Sequence, residues 1–143
     1  MRVMIIATTS PESETQSAPP PSPDGMEAIN HFHEELAAAG VLIDAGRLQP
    51  SSKGARVRFK GSSRNVTDGP FLEAKELVGG YWIWQVESMQ DAIEWLKRAP
   101  FGGGTEVEIR QVFEAEDFGA EFTPELRAQE ERLRAQTQAA AKR

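Results

Sequence analysis

A chain of 143 residues is the length of one compact domain with little left for a second. Charged residues at 27% and hydrophobic ones at 39% allow a core under a wet surface, and 16 basic against 22 acidic side chains leave a net charge of −6. That balance argues against nonspecific binding to nucleic acid or anionic membrane, which reward clustered positive charge, and the lack of cysteine removes disulfides, thiolate metal sites and cysteine nucleophiles. No apolar run nears the roughly 20 residues of a spanning helix. Met1–Ala7 is too short an apolar stretch for a signal peptide, so the expectation is a soluble cytoplasmic protein.

Val3–Ala7, apolar and partly β-branched, predicts a buried strand. Residues 9–23, centred on Pro19-Pro20-Pro21, read as a Pro/Ser-rich loop. Asp24 with Glu27 forms a capping-box pattern for a helix over Gly25–Ala39, whose apolar stripe is Ile29, Phe32, Leu36 and Ala37 and whose stop is Gly40. A strand follows from Val41 toward Leu48. The strict alternation of Ala55–Lys60 predicts a second one, with Ala55, Val57 and Phe59 inward and Arg56, Arg58 and Lys60 outward. Gly61–Arg64 reads as a turn and Asn65–Thr67 as a short return strand.

Tyr81–Val86 is apolar on both faces: Tyr81 and Ile83 point one way, Trp82, Trp84 and Val86 the other. Ser88 caps a helix with the stripe Met89, Ala92, Ile93 and Leu96, and Gly102–Gly104 leads into a strand over Thr105–Phe113. Thr123-Pro124 opens a last helix in which only Leu126 and Leu133 are strongly apolar. The order is that of an α+β, ferredoxin-like β-α-β-β-α-β subunit over 1–113, with a largely helical extension over 114–143. Both helices of such a subunit lie on one face of the antiparallel sheet. Either the tryptophan set or Tyr81 with Ile83 must then occupy the bare face, and a second copy of the chain is the expected cover.

The densest motif is Val66-Thr67-Asp68-Gly69-Pro70-Phe71-Leu72-Glu73-Ala74-Lys75-Glu76-Leu77-Val78-Gly79-Gly80-Tyr81. Here the chain resembles the YCII-related proteins, in particular their DGPF subfamily. Supporting marks are Glu35-Leu36, Ala39–Leu42, Leu48-Gln49-Pro50, Asp91–Trp95 and Val107–Arg110. The resemblance implies a ferredoxin-like subunit pairing into a dimeric α/β barrel. It assigns no activity, although some members occur beside or fused to alternative sigma factors, a link to regulation.

His33 falls on the apolar side of its helix and His31 on the opposite side. An imidazole so placed could serve as a general base oriented by a carboxylate, Asp68 or Asp44. YCII proteins more broadly have been proposed to use a His–Asp pair, while the DGPF subfamily commonly has another residue where His33 stands. The Asp-Gly-Pro bend reads either as a turn or as a cleft bearing Asp68, with Glu73 and Lys75 at its rim. Arg56 and Arg58 are the candidate anion anchors. His31 and Glu35 are too few to complete a metal site, and nothing in the chain calls for a cofactor. Two functions follow: a homodimeric regulatory module binding a small organic ligand, or a cofactor-independent enzyme of proton-transfer or elimination type using His33 and Asp68.

Overall fold

A computed structural model describes residues 1–11 and 23–141; the three adjacent prolines and most of the expected loop lie outside the described residues. The chain forms two compact units, Met1–Gln111 and Val112–Arg143. No helix among the described residues is long and apolar enough to cross a membrane.

In the first unit the chain runs β1 (Arg2–Thr9), α1 (Pro23–Ala38), β2 (Leu42–Arg47), β3 (Ala55–Lys60), β4 (Ser63–Asp68), β5 (Leu77–Gln85), α2 (Met89–Lys97) and β6 (Val107–Gln111). The main sheet has the order β2-β5-β1-β6, antiparallel throughout. Each β-α-β half therefore leaves one strand and returns two places away, parallel to it, which is the ferredoxin-like arrangement.

Why α1 stops where it does is visible in its last turn. Gly40 adopts φ 73°, and the N–H groups of Gly40 and Val41 donate to the carbonyls of Ala37 (3.0 Å) and Leu36 (2.9 Å). These two bonds are a Schellman closure, which needs a left-handed residue at that point. The start differs from expectation: Asp24 lies inside the first turn rather than capping it, because the helix already includes Pro23. Along the stripe Phe32 and Leu36 are buried, Ile29 is half-buried and Ala37 is exposed. Ser88 caps α2 as its side chain predicts, accepting from the Asp91 N–H at 3.1 Å.

Register divides the two faces of the sheet. Val3 and Ile5 pair with Trp84 and Trp82, and these four are buried under the helices with Phe32, Leu36, Val86 and Ala92. Trp82 and Trp84 stack at 5.5 Å, and Phe32 packs edge-on against both. The opposite face carries the other set: Met4 pairs with Ile83 and Ile6 with Tyr81, all half-buried. Of the two sets allowed by the alternation, it is Tyr81 and Ile83 that face away from the helices.

The β3–β4 hairpin stands apart from this sheet. Its turn is only Gly61-Ser62, with Gly61 at φ 57°, so Ser63 and Arg64 belong to the return strand and not to the turn. The expectation that Ala55, Val57 and Phe59 point inward does not hold; Val57 is 51% and Phe59 71% exposed. Alternation predicts a two-faced strand, but burial needs a second layer, and among the described residues of the first unit none covers this ribbon. Arg64 lies over the Phe59 ring at 4.6 Å and is its main cover.

The second unit opens with a short 3-10 segment, Ala115–Glu121, whose cap Glu114 is reciprocally bonded with Asp117. Phe113, Phe118 and Phe122 follow one another at ring separations of 5.2 Å. Helix α3 (Pro124–Ala141) begins where Thr123 predicts it, the Thr123 hydroxyl accepting from the Leu126 N–H at 3.2 Å.

Candidate functional site

Small residues create the cavity. At one end of the sheet β1, β2 and β5 carry Ala7, Ala45, Gly46, Gly79 and Gly80, with Ala7 opposite Gly80 and Gly80 opposite Arg47. At the other end the helix-facing positions hold Val3 and Trp84, buried in one cluster with Leu36 of α1. The N-terminal half of α1 therefore faces a stretch of sheet in which Ala7, Ala45 and Gly80 leave room between larger neighbours. A cavity of about 500 Å³ results, roofed by Met26, Ile29, Asn30 and His33 of α1 and bounded by Ile5, Trp82 and Phe101. Its size lies within the range of drug-sized ligand sites, about 300–1,000 Å³. Gly46 has a second reason to lack a side chain: a Cβ there would meet the Tyr81 ring at 2.5 Å.

Among the described residues around the apolar cavity, the polar side chains include His33, Asn30, Arg47 and Tyr81, the last with its hydroxyl turned to Asp44. His33 receives a hydrogen bond at Nε2 from the Trp82 indole N–H, 2.8 Å away. An acceptor nitrogen carries no proton, so in this bond the ring N–H lies at Nδ1. Arg47 shares the helix-facing side of β2 with Ala45, as the pairing of these residues with Gly80 and Trp82 requires.

His33 thus lines the cavity, but the expected carboxylates do not join it. Asp44 accepts from its neighbour Ala45 N–H at 2.9 Å and from the Tyr81 hydroxyl at 3.4 Å. Asp68 is exposed at the end of β4, opposite Ala55, and is not among the residues around the cavity. Neither are Arg56, Arg58, Glu73 or Lys75. His31 is 73% exposed and pairs with Glu35 at 3.1 Å, and Glu35 also holds Arg98.

What the Asp-Gly-Pro-Phe segment does instead is close the base of the hairpin. The Gly69 N–H donates to the Gly54 carbonyl at 2.9 Å, and the Phe71 N–H donates to the Ser51 hydroxyl at 3.2 Å. Arg56 lies over the Phe71 ring, 3.9 Å from its centre, and is ion-paired with Glu73. Backbone hydrogen bonding at Glu73, and then the Arg56 guanidinium, hold its carboxyl below the usual carboxylate range. Lys75 and Arg58 are exposed. So the two parts of the chain richest in sequence signal serve different ends: the helix around His33 roofs the cavity, and the motif anchors the arm.

Sequence reasoning missed Arg47 and Asn30. The one available signal, small residues at Ala45-Gly46 and Gly79-Gly80, acquires meaning only when the strands are set in register.

Comparison with known proteins places these features. A segment of 72 residues, half of this chain, is 28% identical to an uncharacterized protein of Rhizobium meliloti (strain 1021), of whose length it covers 58%. Among solved structures, the chain is similar to 5-chloro-2-hydroxyhydroquinone dehydrochlorinase (TftG) from Burkholderia phenoliruptrix AC1100, in complex with 2,5-dihydroxybenzoquinone. That match has a TM-score of 0.38 at 16% identity and covers 81% of this chain and 98% of the other. The model of the YCII-related domain matches residues 1–116, and with the ferredoxin-like topology and the motif at the hairpin base this shows that the chain belongs to the YCII-related family.

Proposed function

We propose that this chain is a small-molecule-binding module that acts as a homodimer in a regulatory role, with its ligand in the cavity between α1 and the sheet. The cavity carries the reading: apolar walls supply affinity, and a few convergent polar groups supply orientation, the usual composition of a ligand site. Binding is favoured over catalysis by the state of His33. A general base needs a free lone pair, and the Trp82 N–H occupies the one at Nε2 while the proton sits on Nδ1. The elimination or proton-transfer alternative would also lack its orienting carboxylate, because neither Asp68, exposed at the end of β4, nor Asp44 is among the described residues around the cavity.

Filling the cavity tests the reading. Ile29→Trp, placed on the half-buried roof, is expected to abolish binding of a neutral bicyclic probe such as 2-naphthalenemethanol in calorimetry while the far-UV spectrum stays that of the parent. Undiminished binding in the filled variant would remove the cavity as the site.

The dimer is supported by the sheet face turned away from α1 and α2, where Met4, Ile6, Tyr81 and Ile83 stand together and are only half-buried. Light scattering at micromolar concentration is expected to give about twice 15.8 kDa. A stable mass of one chain would contradict it.

A further inference from the structure

From the donors around the cavity we infer the class of ligand it takes: a small aromatic carboxylate, with Arg47 as the anion anchor. The inference rests on the cavity being the binding site and goes beyond it by assigning charge and shape. Among the described residues lining the cavity Arg47 is the one charged side chain, and no aspartate or glutamate accompanies it. Its cross-strand neighbour on β5 is Gly80, so no side chain opposite can neutralise the guanidinium. In a chain of net charge −6 this makes the cavity mouth a locally electropositive spot. The other polar groups point to the same ligand chemistry. With Nε2 of His33 taken by Trp82, the imidazole offers only its Nδ1–H, and the Asn30 carboxamide adds N–H donors. A site rich in donors and poor in carboxylates selects a ligand rich in acceptors, and a guanidinium matches a carboxylate in a two-pronged geometry.

The ring follows from the walls. Trp82 and Phe101 meet at 5.8 Å and 63°, so one indole and one phenyl form a corner in the cavity lining. Trp82 is held there by stacking on Trp84 and by its hydrogen bond to His33. A flat ring can pack into such a rigid aromatic corner, as aromatic pairs prefer offset or edge contacts.

Calorimetry on the full chain with two probes of the same shape separates the contributions: 2-naphthoate, and its neutral counterpart 2-naphthalenemethanol. The expected result is about ten-fold tighter binding of the carboxylate, the scale of one charge-assisted contact. Arg47→Gln is expected to erase that preference and leave the alcohol unaffected, and Arg47→Lys to retain part of it. If the alcohol binds as well as the carboxylate to the parent, or if Arg47→Gln leaves the carboxylate unchanged, the anion anchor is overturned while the cavity stands. If neither probe binds, the cavity reading falls and takes this one with it. Thermal unfolding of both Arg47 variants, an exposed position, reports directly that they are folded.

Discussion

Trp84→Ala is expected to cost about 3–5 kcal/mol, the range for deleting a large aromatic from a packed core. Trp84 is fully buried, stacks on Trp82 and takes the edge of Phe32, so its removal opens a hole that the rigid strands around it cannot close. For a chain of this size such a loss lowers the melting temperature by roughly 10–20 °C. It consumes much of a stability that is ordinarily about 5–15 kcal/mol. Trp84→Phe should behave differently. The Trp84 indole N–H is buried without a hydrogen-bond partner among the described residues, and a buried unsatisfied donor is itself a cost of about 1–3 kcal/mol. Phenylalanine removes that donor along with part of the ring, so the expected loss is well under half that of alanine. Urea unfolding of both variants at one protein concentration decides it, because the stability of the proposed dimer would depend on concentration. Equal losses for the two variants would mean that the N–H is satisfied after all.

The second large effect is expected at Gly69. A Cβ on this residue would sit 1.7 Å from the Ser51 carbonyl oxygen, and a backbone atom cannot swing away as the end of a flexible side chain can. Gly69→Ala must therefore break the Gly69–Gly54 and Phe71–Ser51 bonds that close the hairpin base. A loss of about 3 kcal/mol or more is expected, from the upper part of the range for point substitutions. Because among the described residues β3 and β4 pair only with each other, the damage should concentrate there: amides of β3 and β4 lose hydrogen-exchange protection while those of β1 and β5 keep most of theirs. Gly102→Ala is the control, since a Cβ there meets nothing within 4 Å and surface changes of this kind stay within about 0.5 kcal/mol. An alanine at position 69 that melted with the parent would show that the motif is not a structural lock.

These two positions also mark what could be read in advance. The apolar spacing in α1 and α2, the Gly40 stop, the Ser88 and Thr123 caps and the two-faced Tyr81–Val86 strand are local signals, written in periodicity and capping chemistry. Each found its counterpart in the structure, with element ends displaced by a few residues where capping competes with a helix already begun at Pro23. The motif at Asp68–Glu73 stood out just as clearly, but its meaning did not. Its partners, Ser51, Gly54 and Arg56, lie well back along the chain and reach it only because β3 and β4 fold onto each other.

By itself the sequence determined the α+β class, the order of the elements and the placing of His33 on the sheet-facing side of its helix, because these follow from spacing along one chain. Tertiary structure decided which face the tryptophans take, which polar groups share a cavity with His33, and that the β3–β4 ribbon has no second layer among the described residues of the first unit. Those outcomes depend on strand register, on where small residues on three strands coincide, and on which layers meet, and no single segment carries that information.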